Sequence, residues 1–181
     1  MTKKSVFSFL REISIIIIGV LIALFISNWN ENRNNNDYVK KAKNYIKKEV
    51  IRNKSDLKSV VEKHDKTIDS LYKFKKRDDY SIRDFLEHME GFQLSELRNT
   101  GLAFFVANKA ELIDFKTISQ LSSMESLSKF VAFKGKIVID FIYKKMESTA
   151  AKDKETLIIH LEELMETEEN LLEICNEYLK V

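Results

Sequence analysis

Between Ile13 and Ile26 only Ser14, Gly19 and Ala23 interrupt an otherwise unbroken run of large apolar residues. Fourteen such residues in a helix rise roughly 21 Å, short of the roughly 30 Å hydrocarbon core of a bilayer. The flanks change that count. Val6, Phe7, Phe9 and Leu10 extend the apolar surface backward, and Trp29 offers an aromatic anchor at the far interface. From Val6 to Trp29 a helix reaches about 36 Å, enough to span with some tilt. The Ile, Leu, Val and Phe residues of the run contribute about −5 kcal/mol toward insertion, at roughly −0.5 kcal/mol each. Arg11 and Glu12 sit at the boundary, where snorkelling and mutual pairing lower their cost. The competing reading is a cleaved secretory leader with Lys3 and Lys4 as its basic region. The run exits through Phe25, Ile26, Ser27, Asn28 and Trp29, with no small-residue cleavage pattern. An uncleaved transmembrane helix is the expectation.

Glu12, Ile16, Gly19, Ala23 and Ser27 fall on one side of that helix at 100° per residue. Gly19, Ala23 and Ser27 are spaced by four, which lets a second helix backbone approach closely. This face, headed by Glu12, is the candidate packing surface, with Arg11 and Trp29 as interface anchors. The alternative assigns Glu12 to Arg11 or a lipid headgroup and leaves the small residues without a role.

The same residues resemble a widespread bacterial family of small single-pass membrane proteins whose function is uncharacterised. Its signature runs Glu-Ile, apolar residues, Gly-Ile-Leu-Ile-Ala-Leu, then Ile-Asn-Asn-Trp-Asn-Glu. Here the matching stretches are Glu12-Ile13, Gly19 to Leu24 and Ile26 to Glu31, with Ser27 in place of asparagine and Phe25 where glutamine is common. A second segment, "LRNTGLAFFVANKAELID" at 97–114, is similar to another part of that family. The resemblance implies the bacterial inner membrane, the N-terminus inside and a C-terminal domain in the periplasm. Counting basic residues points the other way: Lys3, Lys4 and Arg11 precede the run, whereas Arg33, Lys40, Lys41, Lys43, Lys47 and Lys48 follow it. The periplasmic orientation follows the resemblance.

The remaining chain reads as helix. Proline is absent, glycine occurs four times in 181 residues, and charged residues make up 32%. Residues 30–37, "NENRNNND", form an Asn-rich junction where a break is expected, because Asn side chains compete for backbone hydrogen bonds. From Tyr38 to about Lys76, Ile46, Val50, Leu57, Val61, His64, Ile68 and Leu71 mark an apolar stripe with coiled-coil-like spacing. Ser81 and Asp84 suggest a capping box for a short helix ending at Gly91. A middle helix is expected from Ser95, yielding near Asn99 to Gly101 and resuming through Phe104, Phe105 and Leu112. Further helices are expected over 123–146 and 153–180. In the last, Leu157, Leu161, Leu164, Glu168, Leu171, Cys175 and Tyr178 share one stripe, and the acids near 162–169 read as a solvated face.

Residues 37–77 hold fourteen Lys or Arg against six acids, and residues 153–181 hold nine acids against two bases. That asymmetry predicts antiparallel packing of the first and last long helices, with opposite charges along the rims; a lipid-binding Lys40–Lys48 patch is the competing reading. The fold class is therefore all-α. Residues 1–29 form a tail and transmembrane helix, 30–37 the junction, and 38–181 an antiparallel helical bundle with long first and last helices.

His64, His88 and His160 lie on separate predicted helices without H-E-x-x-H or Glu-x-x-His spacing, and glycines are isolated rather than clustered. No catalytic, cofactor-binding or metal-ligating constellation is predicted, and a net charge of +2 gives no reason to invoke nucleic acid. The expected partners are the lipid bilayer and, through the transmembrane face, another copy or another membrane protein. The expected role is a non-enzymatic interaction or scaffold protein. A membrane-tethered sensor of a small ligand is the alternative, and a cryptic enzyme the least favoured.

Overall fold

A computed structural model of the chain describes residues 3–101, 103 and 112–180. Among the described residues there is no strand, and the four helices with described bounds are α1 (Lys3–Phe74), α2 (Ile82–His88), α3 (Phe115–Lys145) and α4 (Ala151–Lys180). The chain divides into two compact units, Met1–Lys43 and Asn44–Val181.

The first unit holds the apolar part of α1. Residues 9–30 are exposed throughout, and the helix is long and apolar enough to cross a membrane. Residues 30–37 are helical, so the expected break is absent. Asn costs only about 0.7 kcal/mol relative to Ala per helical position, and extending an existing helix needs no new nucleus.

In the second unit, Ile46, Val50, Leu57, Ile68 and Leu71 of α1 are buried as the stripe predicts, while Val60 takes the place expected of Val61. Asn53, His64 and Thr67 are buried in the same row. From α4 come Leu157, Ile158, Leu161, Leu164 and Leu171, and from α3 Leu121, Met124, Val131, Val138 and Ile142. α3 begins eight residues before the expected Ser123, where the Asp114 carboxylate accepts the Thr117 amide at 2.8 Å and caps it.

The four orphan amides at the start of α2, those of Ser81, Ile82, Arg83 and Asp84, are all satisfied, and the Phe85 amide makes the first bond within the helix. Ile82 and Arg83 donate to Ser148 and Met146 carbonyls at 3.1 and 2.8 Å. The Asp84 amide donates to the Ser81 hydroxyl at 3.2 Å and the Phe85 amide to the Ser81 carbonyl at 3.1 Å. The Asp84 carboxylate accepts the Ser81 amide at 2.9 Å, which completes the capping box. The Ser81 hydroxyl and amide also hold the Asp84 carboxyl below the usual carboxylate range. The helix ends in a Schellman arrangement: the Gly91 amide donates to Leu86 O at 2.8 Å and the Glu90 amide to Glu87 O at 3.3 Å. Its left-handed residue is Glu90, at φ 60°, with Gly91 following at φ 92°.

The expected helix from Ser95 does not form, since residues 91–99 have no regular secondary structure, and Thr100 and Gly101, where a helix is expected to yield, are helical instead, as is Ala103. Phe104 and Phe105 lie outside the described residues. Gly135 accommodates this segment, since a Cβ there would stand 2.7 Å from Leu94 Cδ2. The rim charges of α1 and α4 are largely not matched to each other. Direct polar contacts run from His64 to Glu168 at 2.8 Å, from Tyr72 Oη to Glu162 at 2.8 Å, and from Lys75, just past α1, to Glu155 at 3.8 Å.

Candidate functional site

An irregular segment packed, half-buried, along a helix must find partners for the backbone N–H and C=O groups that it turns away from water. For Gln93, Glu96, Arg98 and Gly101 those partners are side chains of α1. Glu49, Asn53, Asp56 and His64 follow helical spacing and therefore share one side of the helix. The Glu49 carboxylate accepts the Gly101 amide at 3.0 and 3.1 Å. Asn53 pairs both its amide groups with Arg98, accepting the backbone N–H at 2.9 Å and donating to the carbonyl at 2.8 Å. Asp56 accepts the Glu96 amide at 2.5 Å, and His64 Nε2 donates to the Gln93 carbonyl at 2.9 Å. Lys63 reaches the Gln93 side-chain amide oxygen. The lengths agree: Asn53 to His64 spans about 16 Å of helix, and Gln93 to Arg98 about 16 Å of extended chain. Gly101 has no Cβ because one would collide with the Tyr45 ring.

The deepest part of this ladder is ionisable. His64 and Glu168 are 1% and 0% exposed, with Nδ1 and Oε2 2.8 Å apart. The Ser95 hydroxyl donates to the other Glu168 oxygen at 2.8 Å, and Phe92 stacks on the imidazole at 5.1 Å. A carbonyl at Nε2 requires a proton there. A hydrogen bond at Nδ1 then requires a second proton, on the ring or on the carboxyl, so the pair as a whole is neutral. This neutrality reduces the desolvation cost that an isolated buried carboxylate would carry, and both acceptor oxygens of Glu168 are engaged. Both ring nitrogens are likewise engaged, so the arrangement is suited to holding the segment rather than to moving a substrate proton.

Beside His64 lies a cavity of about 250 Å³ bordered by Lys63, Thr67, Met89, Gly91 and Phe92, with the left-handed Glu90 at its rim. Cys175 is buried 4.0 Å from the Met124 sulfur, and burial pushes its thiol up to about 11 despite the nearby Lys54. Lys154 is buried as well; burial pushes its ammonium down, Asp78 and Asp79 oppose that, and Nζ donates to the Arg77 carbonyl at 2.5 Å. No grouping of three or more His, Cys, Asp or Glu able to hold a metal ion occurs among the described residues.

The residues singled out on the first helix stand apart from this ladder. Arg11, Glu12, Ile16, Gly19, Ala23, Ser27 and Trp29 are all exposed on α1, and a Cβ on Gly19 would meet nothing within 4 Å. His64 is a core histidine, as its stripe position suggests. Glu168 corrects the reading of 162–169 as a solvated face: it points inward to His64 and Ser95. Glu49, Asn53, Asp56 and Ser95 were not foreseen as a set. Polar residues at stripe positions of a long helix are the signal that marks three of them.

No protein-family model, curated protein or solved structure matches this chain.

Proposed function

We propose that this protein is a single-pass, membrane-anchored, non-enzymatic interaction or scaffold protein. It assembles through the Glu12–Gly19–Ala23 side of its first helix and through the surface of an antiparallel helical bundle. The observation that carries the reading is the apolar stretch of α1, of which none is buried. An exposed apolar surface of that size is far beyond what a water-soluble monomer tolerates, and removing its side chains from water is worth on the order of 20 kcal/mol. A bilayer removes them without any protein partner.

The order of contacts supports the bundle. Going up α1 from His64 to Tyr72, partners on α4 descend from Glu168 to Glu162, as antiparallel neighbours do. Between α3 and α4 the pairs Met124–Cys175, Lys134–Glu163 and Phe141–His160 run in the same opposed sense. The likeness of the first helix to the bacterial single-pass family supports an inner-membrane location with the bundle in the periplasm.

Fractionation tests the anchor: the intact chain stays with membranes after an alkaline carbonate wash, and intact chain in the soluble fraction would overturn the reading. Replacing Gly19 and Ala23 together by isoleucine tests the helix face, through loss of co-purifying partners or of the oligomer. A reporter active only outside the cytoplasm, fused after Val181, tests the orientation. The cavity beside His64, bordered by Lys63 and the strained Glu90, favours one second reading, a tethered small-ligand sensor. A ligand-dependent rise in melting temperature that Phe92→Ala abolishes would favour it.

A further inference from the structure

The surface of α1 between Lys47 and Lys58 carries basic residues and no outward acid. Its two acids are spent on residues 96–101: Glu49 is buried against the Gly101 amide and Asp56 accepts the Glu96 amide. Exposed Lys47, Lys48, Arg52 and Lys58 remain, with half-buried Lys54 at the edge nearest Cys175, and none of them makes an ion pair with a described residue. Ile51, 51% exposed, sits in the middle of this face. The outward side of α4 is its counterpart. Glu163, Glu166, Glu169, Glu173 and Glu177 are exposed and make no ion pair with a described residue, and Ile159 lies on the same side, 49% exposed.

Each face works against its own helix. Lys48–Arg52 and Lys54–Lys58 are like charges at i,i+4, as are Glu169–Glu173 and Glu173–Glu177, a mildly destabilising arrangement. A water-exposed helix has no need of such sorting, because mixed signs keep it equally soluble. The basic face occupies about 16 Å of helix, and the acidic one, about 27 Å from Ile159 to Glu177, is long enough to cover it.

We propose that the Lys47–Lys58 face of one copy docks against the Ile159–Glu177 face of a second copy, with Ile51 and Ile159 as its apolar contacts. The proposal deepens the assembly reading above by naming the partner of the bundle surface, and rests on it only for the existence of self-assembly. Sorted charge of this kind steers encounter and fixes partner choice, and it makes the contact sensitive to salt.

The test uses the full chain in neutral detergent, labelled in two colours and followed by energy transfer between copies. Raising salt from about 50 to about 500 mM is expected to weaken association at least about tenfold. The quadruple variants Lys47→Glu/Lys48→Glu/Arg52→Glu/Lys58→Glu and Glu163→Lys/Glu166→Lys/Glu169→Lys/Glu173→Lys should each lose association alone and regain it when mixed. Ile51→Ser, a single exposed change, should weaken association several-fold even if a quadruple variant fails to fold. Association indifferent to salt and to Ile51→Ser, or mixed reversals that do not restore it, overturns the proposal. So does a basic-face variant that keeps association but loses binding to vesicles containing anionic lipid, which would assign the face to a membrane surface. Failure of charge reversal alongside dissociation by Gly19→Ile/Ala23→Ile removes this docking and leaves the helix-face assembly standing; the opposite pair of results removes the helix face alone.

Discussion

Residues 9–30 and 46–71 belong to the same helix, α1, and are both rich in apolar residues, yet they treat them in opposite ways. In the first stretch apolar residues occupy every side and all are exposed. In the second most recur on one stripe and are buried, Ile51 excepted, with polar groups Asn53, His64 and Thr67 among them. The difference lies in what surrounds each stretch. A helix apolar all round suits a medium as apolar as itself, whereas a striped helix suits an interface between water and a core. Polar groups can be admitted to the stripe because each has a partner: the adjacent backbone segment for Asn53 and His64, and the Lys63 carbonyl of the same helix for Thr67.

The strongest way to break the comparison is to put charge into the first stretch. Ile17→Asp with Leu21→Asp should disfavour insertion by about 6 kcal/mol, move the chain out of the membrane fraction, and leave the thermal unfolding of residues 44–181 unchanged. A smaller effect should follow from breaking the buried pair. Glu168→Ala strands His64 and Ser95 and should cost about 3–5 kcal/mol by denaturant unfolding, whereas His64→Leu/Glu168→Leu together should cost clearly less. A double-mutant cycle reads that coupling directly. Asn53→Ala removes both bonds to Arg98 and should cost about 1–3 kcal/mol, with faster hydrogen exchange at the Arg98 amide. The smallest effect has the opposite sign: Glu90→Gly relieves a left-handed non-glycine residue and should stabilise by about 1 kcal/mol, read as a rise in denaturant midpoint.

The sequence made the helices legible wherever the deciding forces are local. The Ser81–Asp84 box, the end of α2 near Gly91, and the stripes of α1 and α4 follow from spacing alone. Residues 95–99 read as helix because their composition permits one; the competition was settled by Asn53, Asp56 and Glu168, up to 73 positions away, which no local pattern reports. The stripe placed Glu168 on the inward side of α4 although its neighbours Glu166 and Glu169 face solvent; the same remoteness hid its partners, His64 and Ser95. Opposite charge on α1 and α4 was visible as a count. That the charges stand on outward faces, rather than along a shared rim, depended on where Glu49 and Asp56 turned.

The ladder on α1 grips main-chain atoms at Glu96, Arg98 and Gly101, not the side chains those residues carry. Substitution at 96 and 98 should accordingly be permissive, while Gly101, which has no room for a methyl group, and Leu94, which fills the space over Gly135, should be restrictive. Evolution could thus rewrite the outward chemistry of this segment position by position while its path stays fixed, much as a loop on a rigid frame acquires new specificities.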